Sequence, residues 1–204
     1  MRAHFLKCIL TSPPWQKMSG TMRLPLTRCR ELGTLASNGE IAMTDRLVFA
    51  FVFLATLGAG VMAGFFFTFS NTVMQALGRI QVPAGIQAMQ AINITVLNPF
   101  FFAAFFGTAL LGILLCVLYL LGLVPSGGIW LLAGGIAYVM GTFLVTVIFN
   151  VPMNEALAKI DPASTQGAEL WRDYLSRWVM WNHVRALTSL AALASYAMAL
   201  VQRL

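Results

Sequence analysis

Charged side chains are scarce in this sequence. Only 10% of its residues are charged and 59% are hydrophobic, whereas soluble domains have about 25% charged and about 45–50% apolar residues. Acidic residues are fewer than basic ones, seven against thirteen, and none lies inside the long apolar stretches. The composition excludes an ordinary soluble domain, and the lack of acids in the apolar stretches argues against a proton-coupled transporter or ion pump.

Histidine and cysteine are also rare, with two and three residues respectively. Cys8 and Cys29 lie near the N-terminus and Cys116 lies inside an apolar stretch, so they indicate neither a disulfide framework nor a metal-binding cluster. No glycine-rich strand–helix motif for a dinucleotide is present. We therefore expect no metal site and no cofactor.

The positive net charge of +6 does not indicate nucleic-acid binding. Six of the thirteen basic residues fall within residues 1–42, and no basic helix with interleaved aromatic residues follows. This leader is poor in acids and contains Pro13, Pro14 and Pro25. We interpret residues 1–42 as a disordered leader, with Met43 as the initiator; the alternative is an organellar transit peptide.

Four stretches are apolar and long enough to cross a bilayer, which requires about 20 residues. They cover residues 47–69, 97–121, 129–151 and 184–202. The two long connections between them each carry a helical pattern with one apolar face. Residues 43–204 are thus predicted to form an all-α membrane protein, an antiparallel four-transmembrane-helix bundle with an extra amphipathic helix in each long connection. The lipid bilayer is its expected surrounding, as a multi-pass protein of a bacterial inner membrane, and the sequence leaves its oligomeric state open.

One end of this bundle, where both long connections lie, collects polar and aromatic side chains. The polar ones are Ser70, Asn98, Asn150, Asn154, Asn182, His183 and Arg185, and the aromatic ones include Phe66, Phe102, Trp178 and Trp181. An apolar pocket with a few convergent polar groups is typical of a small-molecule site, here for a flat, apolar, aromatic ligand. The structural alternative is that the rings form an interfacial belt and the asparagines cap helices. Because a belt would occupy both ends, the one-sided distribution favours a site.

Three segments resemble a known family. They are Gly64-x-x-x-x-Phe69-Ser70-x-x-Val73-Met74-x-Ala76-Leu77, then Phe149-Asn150-Val151-Pro152-Met153-Asn154-x-x-Leu157, and Trp178-x-x-Trp181-Asn182-His183-Val184-Arg185. Together they are similar to the anthrone oxygenase-like family of small four-span membrane proteins, over about residues 45–204. The resemblance implies oxidation of an anthrone to an anthraquinone with O₂ and without an obvious cofactor.

If that activity applies, the reaction needs a base for the acidic C–H of the substrate. His183 is the predicted base, since the unperturbed pKa of histidine is about 6.5. Asn150 and Asn154 are predicted to donate hydrogen bonds to the developing enolate oxygen. The other site residues, Trp178, Trp181, Asn182, Arg185, Ser70, Asn98, Phe66 and Phe102, are predicted to bind the substrate.

Two other functions stay open from the sequence. The first is a non-catalytic membrane protein that binds a small apolar ligand or a lipid, or that acts as a partner subunit. The second is a transporter, although the spans lack the carboxylates that proton or ion coupling requires. Oxygen uptake on an anthrone-like substrate separates the enzyme from both.

Overall fold

The regular structure is helical throughout the part of the chain that the structure describes. The structure is a computed structural model that describes residues 24–124 and 127–203, with side chains from residue 43 onwards. The helices are α1 (Leu24–Thr68), α2 (Met74–Leu77), α3 (Val82–Thr95), α4 (Pro99–Leu120), α5 (Gly128–Ile136), α6 (Val151–Ala158) and α7 (Thr165–Val201). π-Helical segments at Phe69–Val73, Ala137–Leu144 and Thr146–Asn150 connect some of them without a break.

Four stretches of helix are long and apolar enough to cross a membrane. We name them span 1 (Met43–Leu77), span 2 (Pro99–Leu120), span 3 (Gly128–Ala158) and span 4 (Thr165–Val201). Only 28–33% of the residues in the most apolar window of each span are buried inside the protein, as expected for helices that face lipid. The predicted all-α fold with four long apolar helices is confirmed, and the chain is an integral membrane protein.

Three of the spans extend beyond the predicted apolar stretches. The third apolar stretch was predicted to end at residue 151, whereas the helix of span 3 continues to Ala158. Pro152 lies in the first turn of α6, directly after the π-helical segment Thr146–Asn150. The wider π-helical turn relaxes the hydrogen-bond pattern there, so a residue without an N–H donor interrupts the helix less.

Spans 2 and 3 contact each other in opposite chain directions, and so do spans 3 and 4. Spans 2 and 3 meet through Phe105 with Phe143 near one end and through Cys116 with Leu131 near the other. Spans 3 and 4 meet likewise, with Thr142 bonded to Ser189 and Asn150 to the carbonyl of Trp178. Span 1 meets span 2 through Phe65 and Phe101, and span 4 through Phe66 and Asn182.

The interior has two separate apolar clusters. The larger one fills the four-span bundle and includes Val52, Met62, Leu115, Tyr138 and Tyr196. The smaller one lies where α3 packs against the first half of α7, and it consists of Met74, Ile86, Met89, Leu157, Trp171, Tyr174 and Trp178. The α3 helix therefore buries its apolar face against the extended ends of spans 1, 3 and 4.

The predicted leader lies partly outside the described residues. Residues 1–23 are not described, whereas α1 begins at Leu24, inside the segment that was predicted to be disordered. Pro25 occupies the first turn of α1, where its missing N–H is harmless, and no other proline follows before Pro83. Residues up to Leu47 and residues from Val48 onwards form two units.

Candidate functional site

Asn182 lies at the centre of a set of buried and half-buried polar side chains that contacts both apolar clusters, through Phe66 and Trp178. Its side chain is fully buried. The amide nitrogen donates to the carbonyl oxygen of Phe66 (2.7 Å) and to the hydroxyl of Ser70 (2.6 Å), and the amide oxygen accepts from Arg185 (2.6 Å). We name Ser70, Thr146, Asn150, Asn182 and Arg185 the polar layer. It joins spans 1, 3 and 4.

Arg185 carries the only charge of this layer. Its side chain is 4% exposed, and its guanidinium lies over the ring of Phe66 at 4.3 Å and near the ring of Trp178 at 5.0 Å. Besides Asn182 it donates to the hydroxyl of Thr146 at 3.4 Å, and its Nε has no partner. All the groups that it contacts are uncharged.

The two asparagines of span 3 hold the backbone and side chains of span 4. Asn150 is fully buried and donates to the carbonyl of Trp178 at 3.3 Å, while its own amide oxygen has no partner. The amide oxygen of Asn154 accepts from the Tyr174 hydroxyl (2.7 Å) and from the Trp178 indole (2.8 Å). Both side chains thus bond within the protein, and their predicted role in stabilising an enolate stays a prediction.

His183 lies apart from the polar layer. Its side chain is exposed, because it precedes the buried Arg185 by two residues and therefore points about 200° away around the helix. Trp181 is half-buried and stacks on Phe149, with ring centroids 3.7 Å apart. The expected convergence of these side chains with the asparagines is not what the structure has, and the role of His183 as a base stays a prediction.

A cavity of about 510 Å³ lies between span 1, α3 and the start of span 2. Its lining is apolar and aromatic and includes Met62, Phe65, Phe69, Ile92, Asn98 and Phe101. We name it the aromatic pocket. No acidic, basic or histidine side chain is among the residues that line it.

Of the predicted site residues, only Asn98 lines the aromatic pocket. Its amide oxygen accepts from the backbone N–H of Phe101 and its amide nitrogen donates to the carbonyl of Thr95, so it caps span 2. Phe66 is buried beneath Arg185, and Phe102 is 40% exposed on the outside of the bundle. The polar layer and the pocket are therefore two neighbouring features, not one site.

Comparison with known proteins bears on spans 2 to 4. The family model described as anthrone oxygenase matches residues 100–195. This chain resembles the anthrone oxygenase family. The matched region contains two of the three segments on which the predicted resemblance was based, Phe149–Leu157 and Trp178–Arg185, while the segment Gly64–Leu77 lies outside it. Comparisons with curated proteins and with solved structures found no match.

Two residues that hydrogen-bond to predicted site residues of this anthrone oxygenase-like chain were not themselves predicted from the sequence. Thr146 accepts from Arg185, and Tyr174 donates to Asn154. A signal for both is present: polar residues recur four positions apart in span 3, at 142, 146, 150 and 154, and every three to four positions in span 4, at 174, 178, 182, 185 and 189. Such spacing places each set on one helix face.

Proposed function

We propose that the protein binds a flat, apolar, aromatic molecule in the aromatic pocket and oxidises it with O₂ without a bound cofactor, as the family resemblance implies. The pocket is the observation that carries the proposal. Its volume of about 510 Å³ falls within the range of about 300–1,000 Å³ that is usual for small-molecule sites. Its rings, Phe65, Phe69 and Phe101 above all, offer faces and edges for a planar ligand.

The reaction balances without a cofactor. A base removes one proton from the CH₂ group of an anthrone, and the delocalised carbanion passes one electron to O₂, which gives a carbon radical and superoxide. These combine to a peroxide, which takes up a proton and then loses water to leave the carbonyl group. The net change is CH₂ plus O₂ to C=O plus H₂O, and the four electrons lost by carbon reduce the dioxygen.

The protein would contribute chiefly binding and exclusion of water in this mechanism. The lining side chains are rings and aliphatic groups, with Asn98 and Thr95 as the polar members. A ligand among them loses little solvation of its own, because it is apolar, and the carbanion forms away from bulk water. None of the lining side chains is acidic, basic or histidine, so the lining itself supplies no side-chain base for the C–H.

We expect Ala104→Phe to weaken binding of anthraquinone by at least about tenfold, the effect of filling a close-packed site with a ring. Ala104 lines the pocket. Binding is measured on the protein in detergent through quenching of its tryptophan fluorescence. Ala103→Phe is the matched control, because Ala103 is exposed on the same helix and does not line the pocket. Equal affinities of the two variants would contradict the proposal.

His183→Ala separates binding from catalysis. We expect the variant to fold and to bind anthraquinone within twofold of the wild type, because the side chain is exposed and does not line the pocket. If His183 is the base, oxygen uptake on an anthrone falls by at least about a hundredfold, the usual contribution of a general base. Unchanged uptake would remove His183 from the mechanism.

A second function is favoured by one observation, the absence of titratable groups from the pocket lining. A pocket of that kind also suits storage or sensing of an apolar ligand or a lipid without reaction. The measurement that separates the two functions is oxygen uptake with an anthrone that is shown to bind. Binding that Ala104→Phe abolishes, together with uptake no faster than in empty micelles, would select the non-catalytic function.

A further inference from the structure

The positive charge of Arg185 has no negative partner. No carboxylate of the described residues lies within ion-pair distance of it, and its contacts are the neutral Asn182, Thr146, Phe66 and Trp178. An arginine side chain keeps its charge in proteins. A buried charge without a partner is costly, most of all at the depth of a membrane, so a residue of this kind calls for a function.

Two pairs of aromatic rings connect Arg185 to the aromatic pocket. The guanidinium lies on Phe66, whose ring meets that of Phe65 at 5.7 Å, and Phe65 lines the pocket. The guanidinium also lies near Trp178. The ring of Trp178 is 6.1 Å from that of Phe69, and Phe69 lines the pocket as well. Along each path, about two aromatic rings separate the positive charge from the cavity, and these rings are apolar.

An apolar layer transmits an electric field well, because it contains no water to screen the charge. No charged side chain lines the cavity, whereas the charge of Arg185 lies behind the rings of its wall, through Phe66 and Trp178. A neutral ligand in the pocket gains little from this field. A ligand that carries a delocalised negative charge is stabilised by it.

We propose that Arg185 determines specificity, in that its unpaired positive charge makes the aromatic pocket select ligands that ionise to phenolates or enolates over neutral aromatic molecules of the same shape. Arg185 does this through its field and without touching the ligand. The inference rests on the proposed binding function and defines the ligand class for it. It also provides stabilisation for an enolate or carbanion formed in the pocket.

The test uses two ligands of nearly the same shape, 1-hydroxyanthraquinone and anthraquinone. The first changes colour when its hydroxyl ionises, so its pKa in the complex can be read from visible absorbance while the pH is raised. We expect this pKa to be lower by about one unit in the wild-type complex than in empty micelles, the shift that a unit charge produces across a short apolar distance at an effective dielectric constant of about 20. Anthraquinone binding should not depend on pH.

Two variants cancel the charge in different ways. Arg185→Met removes it, and Asn182→Asp leaves the arginine in place but puts a carboxylate on the atom that already accepts its 2.6 Å hydrogen bond. Both should return the pKa of the bound dye to its value in empty micelles and keep anthraquinone affinity within threefold. Arg185→Lys, which keeps the charge, should retain most of the shift. Arg172→Met, at an exposed arginine of the same helix, should retain all of it.

The outcomes separate this inference from the function on which it rests. If anthraquinone binds and Ala104→Phe blocks it, but the pKa of the dye does not differ between wild type and Asn182→Asp, the pocket stands and the role of Arg185 is overturned. If neither ligand binds the wild type, both proposals fall. If Arg185→Met does not fold, Asn182→Asp and Arg185→Lys decide the question between them.

Discussion

Replacing Asn182 with leucine is expected to destabilise the protein by about 3–5 kcal/mol, because it breaks up the polar layer at its centre. Leucine has the same number and branching of side-chain heavy atoms as asparagine, so the larger part of the effect is electrostatic. Hydrogen bonds inside membrane proteins contribute only about 0.6 kcal/mol on average, and the loss of the bonds to Phe66 and Ser70 would account for the smaller part. The larger part comes from Arg185, which loses its shortest hydrogen bond while it stays buried.

The measurement is the free energy of unfolding in mixed micelles as the fraction of denaturing detergent is raised. Asn71→Leu is the matched control. Asn71 is exposed on span 1, next to Ser70, and its amide donates only to the carbonyl of Phe67 on its own helix. We therefore expect its replacement to change the free energy of unfolding by less than about 0.5 kcal/mol, as for surface positions in general. Similar losses in the two variants would show that the polar layer contributes nothing particular to stability.

The double variant Asn182→Leu with Arg185→Met extends the same reasoning. When both members of a buried polar pair are replaced by apolar groups, no unpaired charge is left, and the cost is often small. The double variant should therefore be more stable than Asn182→Leu alone. This result would identify the unpaired guanidinium as the source of the lost stability. It would also indicate that Arg185 serves function and not stability.

The sequence predicted the helices well because their signal is local. A bilayer imposes long runs of apolar residues, and such runs can be read without knowledge of the partners of each helix. Asn98 followed by Pro99 is a local signal for a helix start, and Asn98 caps span 2 in the structure. Local signals did not predict where span 3 ends. The π-helical segment before Val151 lets the helix continue past Asn150 and Pro152.

The arrangement of the site was harder to predict because it depends on helix rotation. Asn182, His183 and Arg185 are close in sequence, yet a helix of 3.6 residues per turn cannot direct all three to one side. Their positions along the chain place them together, whereas the structure separates them into two buried residues and one exposed residue. The four-residue spacing of Thr142, Thr146, Asn150 and Asn154 places them on one face of span 3, and this pattern predicts which face of the helix points into the bundle.

The aromatic pocket depends on contacts between distant parts of the chain. Phenylalanines were expected at this end of the bundle, but Phe65 and Phe101 line the cavity while Phe67 and Phe102 face outwards. Which ring lines the cavity is decided by the position of α3, which contributes Ile92 to the lining. That position follows in turn from packing of Ile86 and Met89 against Trp171 and Tyr174, which no local pattern in the sequence reveals.

Gly135→Leu is expected to separate spans 2 and 3 and to destabilise the protein by about 3 kcal/mol or more, since overpacking of a tight contact forces the backbone to move. A Cβ atom at this position would meet the sulfur of Cys116 and would lie 2.8 Å from the carbonyl oxygen of Gly112. A side chain can turn aside, but a helix backbone cannot do so without separation of the spans. Small residues allow such close approach in membranes, where packing drives the association of helices.

Gly107→Leu provides the matched control for the same chemical change. No atom lies within 4 Å of the position that a Cβ would take at Gly107, so the leucine would point into open space beside span 2, and the higher helix propensity of leucine makes the change neutral or slightly favourable. Both variants are compared through their unfolding in mixed micelles. Equal effects of the two leucines would contradict the close approach of spans 2 and 3 through Gly112 and Gly135.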